Sequence, residues 1–89
     1  MSPEYAVKLT RPTVKEIGRL APKIRGQIGG RLDELATNPR PHDARRLAGR
    51  EKGYRVHVGE YRILYDVDDS ARLVTVWRAK HRKDVYRNL

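Results

Sequence analysis

Cysteine and phenylalanine are absent from these 89 residues, tryptophan and methionine occur once each, and 11 carboxylates face 20 Lys and Arg. Without cysteine there are no disulfides and no thiolate metal sites, which agrees with a reducing, cytoplasmic setting. No apolar run approaches the ~20 residues that a membrane span needs, so a membrane is not an expected partner. The opening "MSPEYAVKLTRP" carries a charge or proline every few residues and predicts no signal peptide. There is no P-loop, no dinucleotide fingerprint and no nucleophile elbow. Internal repeats, low-complexity segments and heptads are missing too. A chain of this length has room for one core, so residues 1–89 are read as a single domain.

What the chain does have is positive charge, +9 at neutral pH, with arginine well ahead of lysine. Such an excess points to a polyanion or an acidic protein as partner. Arginine suits phosphate because its planar fork donates two parallel hydrogen bonds. The plainer alternative is a basic, soluble surface with no specific ligand.

Periodicity supplies the elements. "YAVKLT", residues 5–10, alternates Tyr5, Val7 and Leu9 with Ala6 and Lys8, as a strand does. Thr10 then offers a helix N-cap with Pro12 in the first turn. Val14, Ile17, Leu20 and Ala21 follow at helical spacing, and Pro22 closes that helix and opens another. Ile24, Ile28, Leu32, Leu35 and Ala36 form the apolar stripe of the second helix. Within it, Gly29-Gly30 suggests a close approach to the first helix or to the sheet. Residues 38–46, "NPRPHDARR", read as an irregular loop. Strands are expected at about 54–58, 61–67 and 72–79, with turns at Gly59-Glu60 and Asp68-Asp69-Ser70. The order β-α-α-β-β-β predicts an α+β fold. In it a twisted, mainly antiparallel sheet carries a two-helix hairpin on one face and leaves the other concave and polar.

The chemistry gathers on that second face. In "GYRVHVGEYRILYDVDD", Arg55 and His57 are i and i+2 on one strand and therefore neighbours. Arg62 interrupts an apolar run, so its charge must be paired or must face a cleft. The tail "RAKHRKDVYR" adds Arg78, Lys80, His81, Arg82, Lys83 and Tyr86. Taken singly, each fits a solvated strand face or a basic tail. Together, arginines with imidazoles, a tyrosine and few carboxylates suit phosphodiester cleavage. That reaction needs donors on the phosphorane, a base for the attacking hydroxyl and an acid for the leaving oxygen. Arginine cannot be the base, whereas His57 and His81 can act as base or acid. A metal route is poor, since His42, His57 and His81 lie far apart in sequence. Asp66, Asp68 and Asp69 suggest a magnesium site, but a hairpin turn explains the last two better. No cofactor is expected.

The stretch "ARRLAGREKGYRVHVGEYRILYDVDD", followed by an apolar strand and "AKHRKDVYR", closely resembles the RelE/ParE superfamily of type II toxin–antitoxin toxins. The resemblance covers nearly the whole chain. RelE-like members are ribosome-dependent endoribonucleases in which the 2′-hydroxyl of mRNA attacks its own phosphate without a metal. The resemblance therefore implies an mRNA interferase acting in the cytoplasm, with the ribosome and mRNA as partners and a small acidic antitoxin as its inhibitor. It matches Arg55 and His57 to basic catalytic residues on the strand before the hairpin, and Arg62 to the arginine after it. His81 or Arg82 matches the basic tail position, and Tyr86 the tyrosine that stacks on a base. Some members have lysines where Arg55 and His57 stand, so imidazole replaces lysine in proton transfer here. Arg45, Arg46, Arg50 and Lys52 are expected to grip ribosomal RNA phosphates, with Arg78, Lys80 and Lys83 as further RNA contacts. Two alternatives stand beside this reading. ParE-like relatives poison DNA gyrase without being nucleases, and a basic RNA-binding domain need not be toxic at all.

Overall fold

The computed structural model describes residues 4–87. Strand β1 (Ala6–Leu9) leads into helices α1 (Arg11–Gly18) and α2 (Pro22–Thr37). The strands β2 (Arg45–Arg46), β3 (Gly53–Val58), β4 (Tyr61–Asp68) and β5 (Leu73–His81) follow. The sheet order is β1-β5-β4-β3-β2, with β1 parallel to β5 and every other pair antiparallel. The α+β fold is the expected one, with one strand more. Residues 38–46 are not wholly irregular, because Arg45 and Arg46 pair with Arg55 and Tyr54 and extend the sheet by a short edge. Two residues set among breakers carry no period, so only the cross-strand partner reveals them.

Proline and threonine place the helices. Thr10 is the extended N-cap residue of α1, with Pro12 in the first turn, and Pro22 opens α2. The Thr10 hydroxyl meets the Thr13 hydroxyl at 2.8 Å and caps no helix N–H. That pairing satisfies Thr13, which is fully buried. Val14, expected on the apolar stripe, is instead 53% exposed. The Gly29-Gly30 pair makes no close approach either, since a Cβ at either position meets nothing within 4 Å.

The core lies between α2 and one face of the sheet. Ile28 and Leu35 pack with Val56, Ile63, Tyr65, Val67, Val74 and Val76. The Tyr65 hydroxyl donates to the Pro39 carbonyl at 2.7 Å, and burial raises its pKa. Burying each such aliphatic side chain contributes about 1.5–3 kcal/mol. Ile17 of α1 and Leu20, just beyond its end, close the rim of this core.

One irregularity re-aims the last strand. Leu64 pairs with Arg78 but Tyr65 pairs with Val76, so Trp77 is an extra residue in β5. A bulge of this kind turns one more side chain toward a chosen face. After it Ala79, opposite Ile63, returns to the buried side. Among the described residues, no helix is long and apolar enough to cross a membrane.

Candidate functional site

The sheet face away from the helices is built by register. Directly paired residues share a face, so Arg55 stands beside Leu64, and His57 beside Arg62. Arg62 in turn stands beside Lys80 of β5. The result is a row, His57–Arg62–Lys80, with Arg55 two residues from His57. Among the described residues, Arg55 and His57 have no side-chain hydrogen bond and no ion pair. Arg62 reaches only the backbone, donating from Nη1 to the Gly59 carbonyl at 3.3 Å and more weakly to that of Tyr61. Lys80 lies 3.6 Å from the Glu16 carboxylate. Arg55 and Arg62, cations with no ion pair among the described residues, mark the face as a place for anions.

Beside the row lies a cleft of about 680 Å³, walled by the 46–50 loop, Arg55, Trp77, Arg78 and Tyr86. Loop and strand are locked together. Leu47 N–H donates to the Gly53 carbonyl, and Gly53 N–H to that of Arg50, both at 3.0 Å. Gly53 is required here, because a Cβ would sit 2.7 Å from Arg50 Cβ. The Arg50 guanidinium lies 4.2 Å from the centroid of Trp77 and makes two hydrogen bonds to Asp66, at 3.1 and 2.6 Å. Those hydrogen bonds raise the pKa of Arg50. Tyr86 is 47% exposed at the cleft.

The other expected residues divide. Arg78 Nη1 donates to the Val85 carbonyl at 2.9 Å and to that of Arg87, so it anchors the tail. Leu64, the partner of Arg78, and Val85 are both fully buried outside the main core. The cleft face is therefore not wholly polar, because an apolar patch lies beneath the tail. Arg82 forms an ion pair with the Glu60 carboxylate at 2.9 Å, and its backbone N–H donates to the Glu60 carbonyl at 2.8 Å, which fixes the tail to the β3–β4 turn. Lys83 is exposed. Arg45 donates to the His42 and Ala44 carbonyls, Arg46 to the Glu51 carbonyl, and Lys52 lies 3.7 Å from Asp68.

His81 is a correction. It pairs with Tyr61, on the same face as Ile63 and Tyr65, and its ring meets Tyr61 edge-on at 5.6 Å. It lines a hollow with Glu16, Arg19 and Leu20 of the helix side, and its Nδ1 accepts from Lys83 N–H at 3.2 Å. The bulge at Trp77 shifts the parity of everything after it, which puts His81 across the sheet from His57.

Trp77 escaped the sequence reading, and Asp66 entered it only as a possible magnesium ligand, not as the partner of Arg50. The signal was there: with Val74 and Val76 inward, unbroken alternation would also bury Arg78, which a charged residue resists. Asp43, held below the ordinary carboxylate range chiefly by its hydrogen bond from Arg31, also feels the charge of His57 and is the acid near that imidazole. Among the described residues, no three His, Asp or Glu side chains are grouped to hold a metal ion.

Residues 7–86 match the family model described as "ParE toxin of type II toxin-antitoxin system, parDE". The chain belongs to the RelE/ParE superfamily of toxins. The toxin RelG of Mycobacterium tuberculosis is 31% identical over 87 residues, 93% of this chain and 97% of its own. The RelE1 protein of Methanocaldococcus jannaschii is 27% identical over 88 residues, 96% of this chain and 98% of its own. Among solved structures, the archaeal RelE–RelB complex of Pyrococcus horikoshii superposes with a TM-score of 0.81 at 25% identity, covering 92% of this chain and 99% of that one. This toxin is thus RelE-like in sequence and in fold.

Proposed function

We propose that this toxin is a metal-independent endoribonuclease that cuts mRNA on engaged ribosomes and is silenced by a small acidic antitoxin. The observation that carries the reading is the sheet face away from the helices, on which Arg55, His57 and Arg62 meet with no ion pair to a carboxylate among the described residues. In this reading His57 takes the proton of a 2′-hydroxyl, whose oxygen attacks the adjacent phosphorus. Arg62 and Arg55 bind the phosphorane oxygens, where charge grows and preorganised donors count most. The P–O5′ bond breaks and the departing 5′-oxygen takes a proton from water, leaving a 2′,3′-cyclic phosphate. With His81 on the far face, His57 is the one imidazole placed beside the arginines, and Tyr86 orients a neighbouring base. Arg45 and Arg46 reach phosphates as positioning contacts, and Lys83 extends the basic surface. Lys80 and Arg82 join them by exchanging Glu16 and Glu60 for phosphate. Arg50, Lys52 and Arg78 serve mainly to hold the cleft in shape.

Charge supports the antitoxin partner, since a surface of +9 calls for an acidic protein when idle. The relative from Pyrococcus horikoshii is seen together with RelB.

The ParE description of the matching family model favours a second reading, a gyrase poison with no chemistry of its own. Mapping mRNA 5′ ends after expression without antitoxin, with and without engaged ribosomes, separates the two. Cuts within codons only on translating ribosomes, with gyrase supercoiling unaffected, support the nuclease. Intact mRNA with inhibited supercoiling puts the gyrase poison first.

A further inference from the structure

The bulge at Trp77 has a cost that the core does not need. An extra residue breaks the β4–β5 ladder, and it brings into the cleft wall an indole whose Nε1–H is buried without a hydrogen-bond partner among the described residues. A purely apolar side chain would leave no orphaned donor, so packing alone gives no reason for an indole here. Arg50 lies against that ring at 4.2 Å, and Asp66 holds the guanidinium with two hydrogen bonds. Tyr86 stands exposed at the same cleft, next to Arg55.

We propose that the Trp77–Arg50 stack is the platform of a nucleobase subsite in this cleft, with Tyr86 opposite and Asp66 as the positioning residue that keeps the guanidinium flat. The ligand class is one unpaired base of an RNA strand whose phosphate lies on Arg55. This inference rests on the RNA reading above and deepens it. Stacked indole, guanidinium and base share flat, polarisable faces, and such stacking tolerates any base identity. Asp66 neutralises Arg50, so the platform selects for a ring rather than for phosphate.

Trp77 is the single tryptophan, so its fluorescence reports on the platform directly. The probe is a 2′-O-methyl trinucleotide, which binds without being cut, compared with an abasic phosphodiester of the same length and charge. The trinucleotide should quench Trp77 and bind roughly ten-fold more tightly than the abasic strand. Trp77→Leu should reduce trinucleotide affinity, read by the anisotropy of a labelled strand, to the abasic level, while Trp77→Phe keeps most of it. Asp66→Asn should narrow the preference for the trinucleotide, because the platform loses its hold on Arg50 while the freed guanidinium charge strengthens abasic binding. Circular dichroism confirms that each variant is folded. Equal affinity for the two strands without quenching overturns the subsite, as does a folded Trp77→Leu that binds like the parent. Cleavage is scored separately. A protein that quenches yet never cuts mRNA on ribosomes sinks the nuclease and keeps the subsite, and one that cuts without base-dependent binding does the reverse.

Discussion

The two ends of the sheet use the same residue types for opposite purposes. Around the β4–β5 turn, cations are matched to carboxylates: Arg40 to Asp69 at 2.8 Å, Arg50 to Asp66 at 2.6 Å and Lys52 to Asp68 at 3.7 Å. Arg40 also donates to the Tyr54 hydroxyl at 2.9 Å, and Tyr5 donates to Asp69 at 2.6 Å, so β1, the α2–β2 loop and the β4–β5 turn are joined. Toward the β3–β4 turn, Arg55, His57 and Arg62 face out with no ion pair among the described residues, while Lys80 and Arg82 have Glu16 and Glu60. Paired charges fix loops. Unpaired charges wait for an anion. The presence of an aspartate across the ladder, rather than anything about the arginine, separates the two.

The sharpest test of that contrast is Arg62→Ala. On the proposed mechanism it removes a phosphorane donor and should cost about 10²–10³ in cleavage rate on ribosomes. Stability should move by no more than about 0.5 kcal/mol in urea unfolding. Arg62→Lys should recover only part of the rate, since a point charge lacks the fork. A folded Arg62→Ala that cuts normally would falsify the catalytic role of this face.

His57→Gln comes next. Activity should fall by about 10²-fold or more, and the ascending limb of the pH–rate profile should vanish. His81→Gln should leave that limb in place, because His81 lies across the sheet. A profile that loses a descending limb in His81→Gln would return His81 to the chemistry.

Gly53→Ala probes the wall between the two regions. Its Cβ would meet Arg50 Cβ at 2.7 Å, so the loop must move or strain, at a cost of about 1–3 kcal/mol. Unfolding should report that loss, and cleavage should fall less than in Arg62→Ala.

The smallest effect belongs to the paired end. Arg40, then Tyr5, hydrogen-bonds Asp69 and pulls its carboxyl from 3.8 down to about 2. A folded-state pKa below the unfolded one gives stability that is present above pH ~4 and lost as pH falls toward ~2. Unfolding midpoints of the parent should therefore drop across that window, while those of Asp69→Asn and Arg40→Ala stay flatter. Cleavage at neutral pH should be unchanged in both variants. A loss of activity there would erase the contrast between the two ends.

Local patterns made much of this legible. Pro12 and Pro22 marked the helix starts, and period-two alternation gave four strands within a residue or two. Arg55, His57 and Arg62 were found on one face because i, i+2 spacing and a two-residue hairpin leave the register little freedom. The misses share one cause, contacts distant in sequence. The β2 edge depends on β3, and the position of His81 on a bulge set by the register of β5 against β4.

Sequence by itself determined the α+β order, the basic character and the three-residue cluster before and after the hairpin, since each is set by composition or by neighbours a few residues apart. Tertiary structure alone decided which arginines are neutralised, since Arg50–Asp66 and Arg40–Asp69 are 16 and 29 residues apart. It also decided that Trp77, and not His81, joins the cleft. A strand's parity can be counted from sequence only until the ladder slips, and the slip is fixed by the partner strand.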